Sequence, residues 1–317
     1  MKRFFILIML ICLSACKPEP ARPQNASAGS TPQHTQNITI QTVDGSITLP
    51  LHPAKTAVYD YAVLDSLTAL GVIPDIAPAN NLIPYLEKEF QSIPHKGGTI
   101  FEPDLEQLNT IRPDVIFIGS GSNKMQAELE KIAPTVNMGA FGGHLIADGL
   151  QRLTELGKLF GKENQAFQLK QATEKLLHET RQSIHNRQPE NALVVMVNGG
   201  KLSVFGTDSY FGWLYQELGL AMTETDLNLD KYGLPASFEL LHKANPDVIF
   251  VIDRSSAVGE KSQSASQVLD NPLIHQTRAW QKGQIVYLSG TAFTAGGGIR
   301  QIQQDLTTIK QSFEKTD

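Results

Sequence analysis

The chain has 317 residues, with 32 acidic against 27 basic side chains and a net charge of −5 at pH 7. That length is enough for two ordinary hydrophobic cores, and an acidic chain without basic patches excludes nucleic acid as an expected partner. Both cysteines, Cys12 and Cys16, lie at the extreme N-terminus, so disulfides, cysteine–zinc sites and thiol nucleophiles are excluded from the rest.

Lys2 and Arg3 form a positive n-region and Phe4 to Leu13 an apolar h-region, followed by Leu13-Ser14-Ala15-Cys16. The apolar run is too short to span a bilayer and reads as a signal peptide over 1–15. Its ending resembles a bacterial lipobox, which implies lipidation of Cys16 and a membrane-anchored lipoprotein of the bacterial periplasm or cell envelope. The alternative is an ordinary signal peptide with a chance cysteine. Residues 16–36 are rich in Pro, Ser, Thr, Gln and Asn and bury nothing, which predicts a flexible tether.

From Asn37 to Leu51 apolar residues alternate around Asp44-Gly45, a hairpin signal. Thr56–Tyr59 reads as a buried strand, Ala62–Leu70 as a helix ended by Gly71, and Asn81–Phe90 as a second helix. Asp104–Ile111 predicts a helix stopped before Pro113, and Val115–Ile118 a strand entering Gly119-Ser-Gly-Ser-Asn123. A helix over Met125–Ile132, a strand over Thr135–Met138 and a helix over Leu145–Phe160 complete an N-terminal lobe, 37–160. Continuously apolar strands alternating with helices predict a parallel α/β sheet covered on both faces.

The segment 161–188 is different. From Glu163 to Arg187 it has neither Gly nor Pro and is rich in helix formers. It predicts one helix of about 25 residues and about 37 Å. Ala166, Leu169, Thr173, Leu176, Thr180 and Ile184 make a single narrow stripe on it. Such a helix reads as a stiff strut between two lobes, stopped by Pro189. The second lobe, 189–317, repeats the plan with strands at Leu193–Val197, Leu202–Phe205, Val248–Ile252 and Ile285–Leu288. Helices are predicted over Tyr210–Leu218, Phe238–Ala244, Val268–Leu273 and Ile299–Phe313.

The halves also share sequence. Glu106-Gln-Leu-Asn-Thr-Ile-Arg-Pro-Asp-Val-Ile-Phe117 matches Glu239-Leu-Leu-His-Lys-Ala-Asn-Pro-Asp-Val-Ile-Phe250 without a gap, 133 residues apart. That period is too long for a solenoid and indicates two similar lobes. Ligands of open α/β sheets bind beyond the carboxyl ends of the strands, so two facing lobes share one cleft.

Lipobox, tether, paired lobes, linking helix and the E-x-L-x-x-x-x-P-D-V-I repeats together resemble the class III periplasmic binding proteins. Asn81-Leu-Ile-Pro-Tyr-Leu86, Lys131-Ile-Ala-Pro-Thr135, Leu202-Ser-Val-Phe-Gly206, Val251-Ile-Asp-Arg254 and Gly296-Gly-Gly298 resemble most the lipoproteins for catecholate-type ferric siderophores. The resemblance implies a monomeric carrier that delivers a ferric siderophore to an ABC permease. It implies no cofactor and no catalysis, and no side chain other than Tyr232 is a candidate for ligating the iron directly. A binding protein of the same fold for haem or cobalamin is the second reading.

Those relatives place three arginines around a trianionic chelate. Here Arg254 keeps its place, whereas the other two positions hold Gly121 and Tyr210. Tyr232 stands where some members have an iron-binding His, so direct ligation by Tyr232 stays open. Losing one partner of a buried ion pair costs on the order of 3–5 kcal/mol. A chelate less anionic than a tris-catecholate is therefore expected, for example a mixed one, with Lys124 and Lys231 as substitute charges. Tyr61, Tyr210, Phe211, Tyr232 and Phe293 offer aromatic faces, and Ser122 belongs to a loop that either offers donors to an anion or is merely tight. Arg254 either meets ligand or forms an interlobe salt bridge. Glu128 and Glu217, chosen by helix position, are the expected permease contacts. Walker A, Rossmann, G-x-S-x-G and H-E-x-x-H motifs are absent from the sequence, and His178 and His185 sit about 10 Å apart, too far to share an ion.

Overall fold

In the computed structural model, which describes residues 36–139, 144–224, 232–259 and 262–315, the Asp44-Gly45 signal forms a hairpin. Strands β1 (Asn37–Thr42) and β2 (Gly45–Pro50) pair antiparallel with Thr42 opposite Gly45, whose φ of 115° suits glycine. Ile40 and Leu49 point into the core while Thr39 and Thr48 face out, as a period of two requires. The signal peptide, Cys16 and the tether before Gln36 lie outside the described residues.

Two five-stranded sheets follow. The first contains β3 (Thr56–Tyr59), β4 (Ile76–Ala77), β5 (His95–Lys96), β6 (Val115–Ile118) and β7 (Thr135–Asn137), in the order β5-β4-β3-β6-β7 and wholly parallel. The second contains β8 (Ala192–Asn198), β9 (Lys201–Phe205), β10 (Leu234–Ala236), β11 (Val248–Asp253) and β12 (Ile285–Leu288), ordered β10-β9-β8-β11-β12. Here β8, β11 and β12 run parallel, whereas β9 and β10 form an antiparallel edge. Pro235 is tolerated in β10 because it stands at that edge. Helices cover both sheets, giving a mixed α/β fold in two lobes. The helix expected over Asn81–Phe90 is shorter, a turn at Pro84–Leu86 running into Glu87–Gln91, and that over Tyr210–Leu218 shrinks to Trp213–Gln216.

The internal repeat has a structural cause. Helices Leu105–Ile111 and Phe238–Ala244 are capped by Asp104 and Ser237 and end in left-handed residues, Arg112 (φ 52°) and Asn245 (φ 44°). Each then turns through Pro-Asp into a buried strand, β6 or β11. Asp114 accepts the N–H groups of Ala54 and Lys55 (2.8 and 2.9 Å), at the entry to β3. Asp247 accepts the Glu190 N–H (2.8 Å), just before β8, and pairs with Lys282 at 2.7 Å. In both lobes, one aspartate thus joins the starts of two neighbouring strands.

The linking helix runs from Glu163 to Arg187 as expected, but it is not a lone strut. The terminal helix, Ile299–Glu314, lies along it. Gln303 Nε2 donates to Thr173 Oγ1 (2.8 Å), Arg187 Nε donates to Phe313 O (2.9 Å), and Lys310 pairs with Glu179 at 2.6 Å. That terminal helix also reaches the first lobe. The N–H groups of Arg300 and Gln301 donate to the fully buried Asp65 (2.9 and 3.2 Å), Tyr85 Oη donates to the same carboxylate (2.5 Å), and Arg300 pairs with Glu89 (2.8 Å). Close approach is allowed by glycines: a Cβ at Gly298 would stand 2.7 Å from Asp65 Cγ, and one at Gly149 would stand 2.5 Å from Gly297 O. One apolar cluster consequently runs through both lobes, from Val58 and Leu153 to Val194 and Leu306.

Candidate functional site

A cavity of about 300 Å³ opens where the carboxyl ends of the two sheets face each other. Tyr59, Asp60 and Tyr61 reach it from the end of β3, and Ser120 and Gly121 from the end of β6. Across the cleft, Arg254 and Val258 follow β11, while Phe293, Thr294 and Gly296 follow β12. Thr294 Oγ1 donates to Leu82 O (3.2 Å), closing one side of the cavity between the lobes. Four residues expected from sequence meet here: Tyr61, Tyr210, Arg254 and Phe293.

Arg254 opens a short helix, Arg254–Ala257, whose cap Asp253 accepts the Ser256 N–H at 3.0 Å. Its guanidinium lies over the Phe293 ring, 5.6 Å from the centroid, and Nη1 donates to Asn198 Oδ1 (3.3 Å) at the end of β8. Among the described residues Arg254 makes no ion pair, so the interlobe salt bridge is not the role the structure gives it. A charge so placed, stacked and half-buried, is available to an anion.

The tyrosines meet the cavity as neutral phenols. Burial pushes the Tyr59 hydroxyl up to about 12. Burial also raises Tyr61, whose hydroxyl donates to Asn80 O, and Tyr210, with the Asp60 carboxylate adding to the effect on Tyr210. Raised values oppose phenolate formation and leave apolar faces with one polar tip each. Among the described residues no group of three or more His, Cys, Asp or Glu side chains is arranged to hold a metal ion.

Other expected contacts are turned elsewhere. Phe211 is buried beneath the cavity, packed edge-on against Phe205 (5.1 Å) and Tyr210 (5.2 Å). Ser122 is fully buried, with its hydroxyl donating to Ile100 O and its N–H to Gly119 O (3.1 Å), so both donors are spent within the protein. Lys124 is exposed and does not line the cavity. Tyr232 is 74% exposed and also outside it, and Lys231 lies outside the described residues. Glu128 is exposed and paired with Lys131 at 2.7 Å. Glu217 corrects its assignment: it is 8% exposed and accepts the N–H groups of Ile146 (2.7 Å) and Ala147 (2.9 Å), capping the helix Leu145–Leu159 of the other lobe. A carboxylate so engaged is not presented to a partner protein.

Of the lining residues that the sequence reading did not offer as ligand contacts, Phe101 and Arg152 matter most. Phe101, 65% exposed, forms an aromatic lip beside Gly121. Arg152, 5% exposed, lies at the cavity with Nη1 donating to Met138 O (2.6 Å) and Nη2 to Gly297 O (2.5 Å). A signal for Arg152 existed, because it falls in the buried stripe Leu145, Gly149, Arg152, Leu156, Leu159, where a charge is out of place.

Residues 57–292 match the family model described as periplasmic binding protein. The petrobactin-binding protein YclQ of Bacillus subtilis is 30% identical over 316 residues, 98% of each chain. Its crystal structure superposes with a TM-score of 0.82, covering 89% of this chain and all of that one. The ferric-anguibactin-binding protein FatB of Vibrio anguillarum is 29% identical, covering 90% of this chain and 88% of its own. The periplasmic catecholate-siderophore binding protein VctP of Vibrio cholerae is 28% identical with a TM-score of 0.80, over 87% of this chain and all of that one.

Proposed function

Because the chain belongs to the periplasmic binding protein family, we propose that it captures a ferric siderophore in the interlobe cleft and hands it to an ABC permease for iron uptake. The observation that carries this is the cavity itself: neutral aromatic walls from both lobes around a guanidinium that has no ion-pair partner among the described residues and is stacked on Phe293 at the end of a strand. Its relatives supply the ligand class, since petrobactin, ferric anguibactin and catecholate siderophores are what their names specify. Iron arrives as cargo inside its chelator, and no cofactor or catalytic step is invoked.

Charge refines the cargo. The cavity's ionic side chains among the described residues are Asp60, Arg152 and Arg254, one acid against two bases. Such a site suits a chelate of small negative charge better than a trianion, whose uncompensated charge would be desolvated at a cost of several kcal/mol. The carrier acts as a monomer in the bacterial periplasm, held to the membrane by lipid on Cys16. Glu128 on the first lobe is the remaining candidate for pairing with the permease. Axial ligation of haem by Tyr232 is not favoured, because Tyr232 stands outside the cavity, and the relatives named above are siderophore binders rather than haem or cobalamin binders.

Quenching of Trp213 and Trp280 fluorescence by ferric chelates tests the reading. A mixed, low-charge catecholate chelate should bind more tightly than ferric tris-catecholate. Arg254→Ala should weaken it about 10–100-fold, the worth of a charge-assisted hydrogen bond. If haem or cobalamin quenches and no ferric chelate does, the assignment is wrong.

A further inference from the structure

We propose that Arg152 is the anion anchor at the floor of the cleft, a ligand-binding residue that grips an anionic oxygen of the cargo, carboxylate or catecholate. The proposal rests on the siderophore reading above and names how that site compensates its cargo's charge.

Arg152 is nine-tenths buried, yet among the described residues no carboxylate pairs with it. Arginine cannot shed its proton to escape burial, so the charge stays desolvated and, among the described residues, without an ion-pair partner. A buried cation without a counter-ion is costly to fold around, and an arriving anion relieves that cost. The guanidinium also has donors to spare. It carries five N–H groups; among the described residues the two bonds it makes are to carbonyl oxygens, and Nε has no acceptor.

Its neighbours aim it. Met138 O belongs to the first lobe, just after β7, and Gly297 O to the second, just before the terminal helix. Gly149, one turn earlier on the same helix, admits Gly297 at a distance that any Cβ would forbid. Two carbonyls from opposite lobes thus hold a planar fork in one orientation, which lowers the entropy lost on binding. Lysine, a point charge on a flexible stem, would not be held in this way. Asp60, the acid on the same cavity, caps the following helix by accepting the Val63 N–H (2.9 Å) and makes no ion pair with Arg152 among the described residues.

The test is a set of affinities measured by tryptophan quenching on the full chain and on Arg152→Gln and Arg152→Lys, with thermal unfolding run alongside. The probes are ferric tris-catecholate (trianion), a ferric bis-catecholate (monoanion) and a neutral ferric tris-hydroxamate. Arg152→Gln should weaken the anionic chelates by about tenfold or more, most for the trianion, while the neutral chelate changes by less than about threefold. Arg152→Lys should keep the ranking by charge with only partial affinity. It also serves as the deciding variant if the glutamine protein does not fold. Equal weakening of all three chelates would mean a purely structural stitch between lobes and would overturn the proposal, as would unchanged affinities. If the wild type binds none of the chelates, the siderophore reading itself fails; if it binds them and the variants do not discriminate, only the role of Arg152 falls.

Discussion

Replacing Glu217 by alanine separates a structural tie from a docking contact. The carboxylate belongs to the second lobe and accepts two N–H groups, at 2.7 and 2.9 Å, from the first turn of Leu145–Leu159. A net hydrogen bond to a charged group contributes about 1.5–3 kcal/mol, and loss of a helix cap costs about 0.5–2. Part of this is offset, because burial raises the Glu217 carboxyl and outweighs the stabilising Ile146 and Ala147 donors. Removing the side chain recovers that desolvation. A loss of about 3 kcal/mol follows, equivalent to about 5 °C in Tm at this size. Urea unfolding followed by circular dichroism measures it. A Glu217→Ala protein within about 0.5 kcal/mol of wild type, the range of ordinary surface substitutions, would refute the reasoning and return Glu217 to the surface available to a permease.

Asp305 offers a pH test. Burial raises its carboxyl well above the ordinary value, the nearby Asp65 adds to this, and Gln301 only partly offsets it at 2.8 Å. The native state therefore holds a proton that the unfolded chain releases above about pH 4, and stability declines as pH rises from there towards the raised value. Asp305→Asn lacks this titration, so its stability relative to wild type should improve between pH 5 and pH 8, by up to about 1.4 kcal/mol per pH unit; a difference independent of pH would contradict it. Gly149→Ala should cost about 1–3 kcal/mol through overpacking, because its Cβ would press on Gly297 O and Ile302 Cδ1 at 2.5 and 2.7 Å. A helix-stabilising gain in urea unfolding would show that the seam between lobes yields.

Local patterns carried much of this fold in the sequence. Continuous apolar runs such as Val115–Ile118 and Val248–Ile252 need no partner to be recognised, because a strand covered on both faces is apolar throughout. The linking helix was legible for the same reason: 25 residues without Gly or Pro leave the backbone no better option. The Pro-Asp repeat could be matched by eye, and each aspartate proved to join two strand starts. By contrast, β4, β5 and β10 are two or three residues long, and pairing with neighbours distant in the chain creates them, not periodicity.

The cleft divides along the same line. Arg254 and Phe293 were legible because they follow strands or resemble family positions, and strand ends face the ligand side by topology. Which aromatic faces in, Tyr210 or Phe211, depends on a loop turn and on the room that Gly296 leaves for Tyr210, neither of which is written locally. Glu217 and Arg152 show the limit most clearly. A carboxylate on a short helix looks like a surface charge along the chain, and an arginine on the apolar stripe of an amphipathic helix says only that it is out of place, not what holds it. Only the meeting of lobes makes one a cap across 70 residues and the other a buried cation between carbonyls 14 and 145 residues away. Sequence by itself determined the longer elements and the family, because those depend on local composition and spacing. Tertiary structure decided which charges the two lobes enclose, because burial is a property of the assembled surfaces.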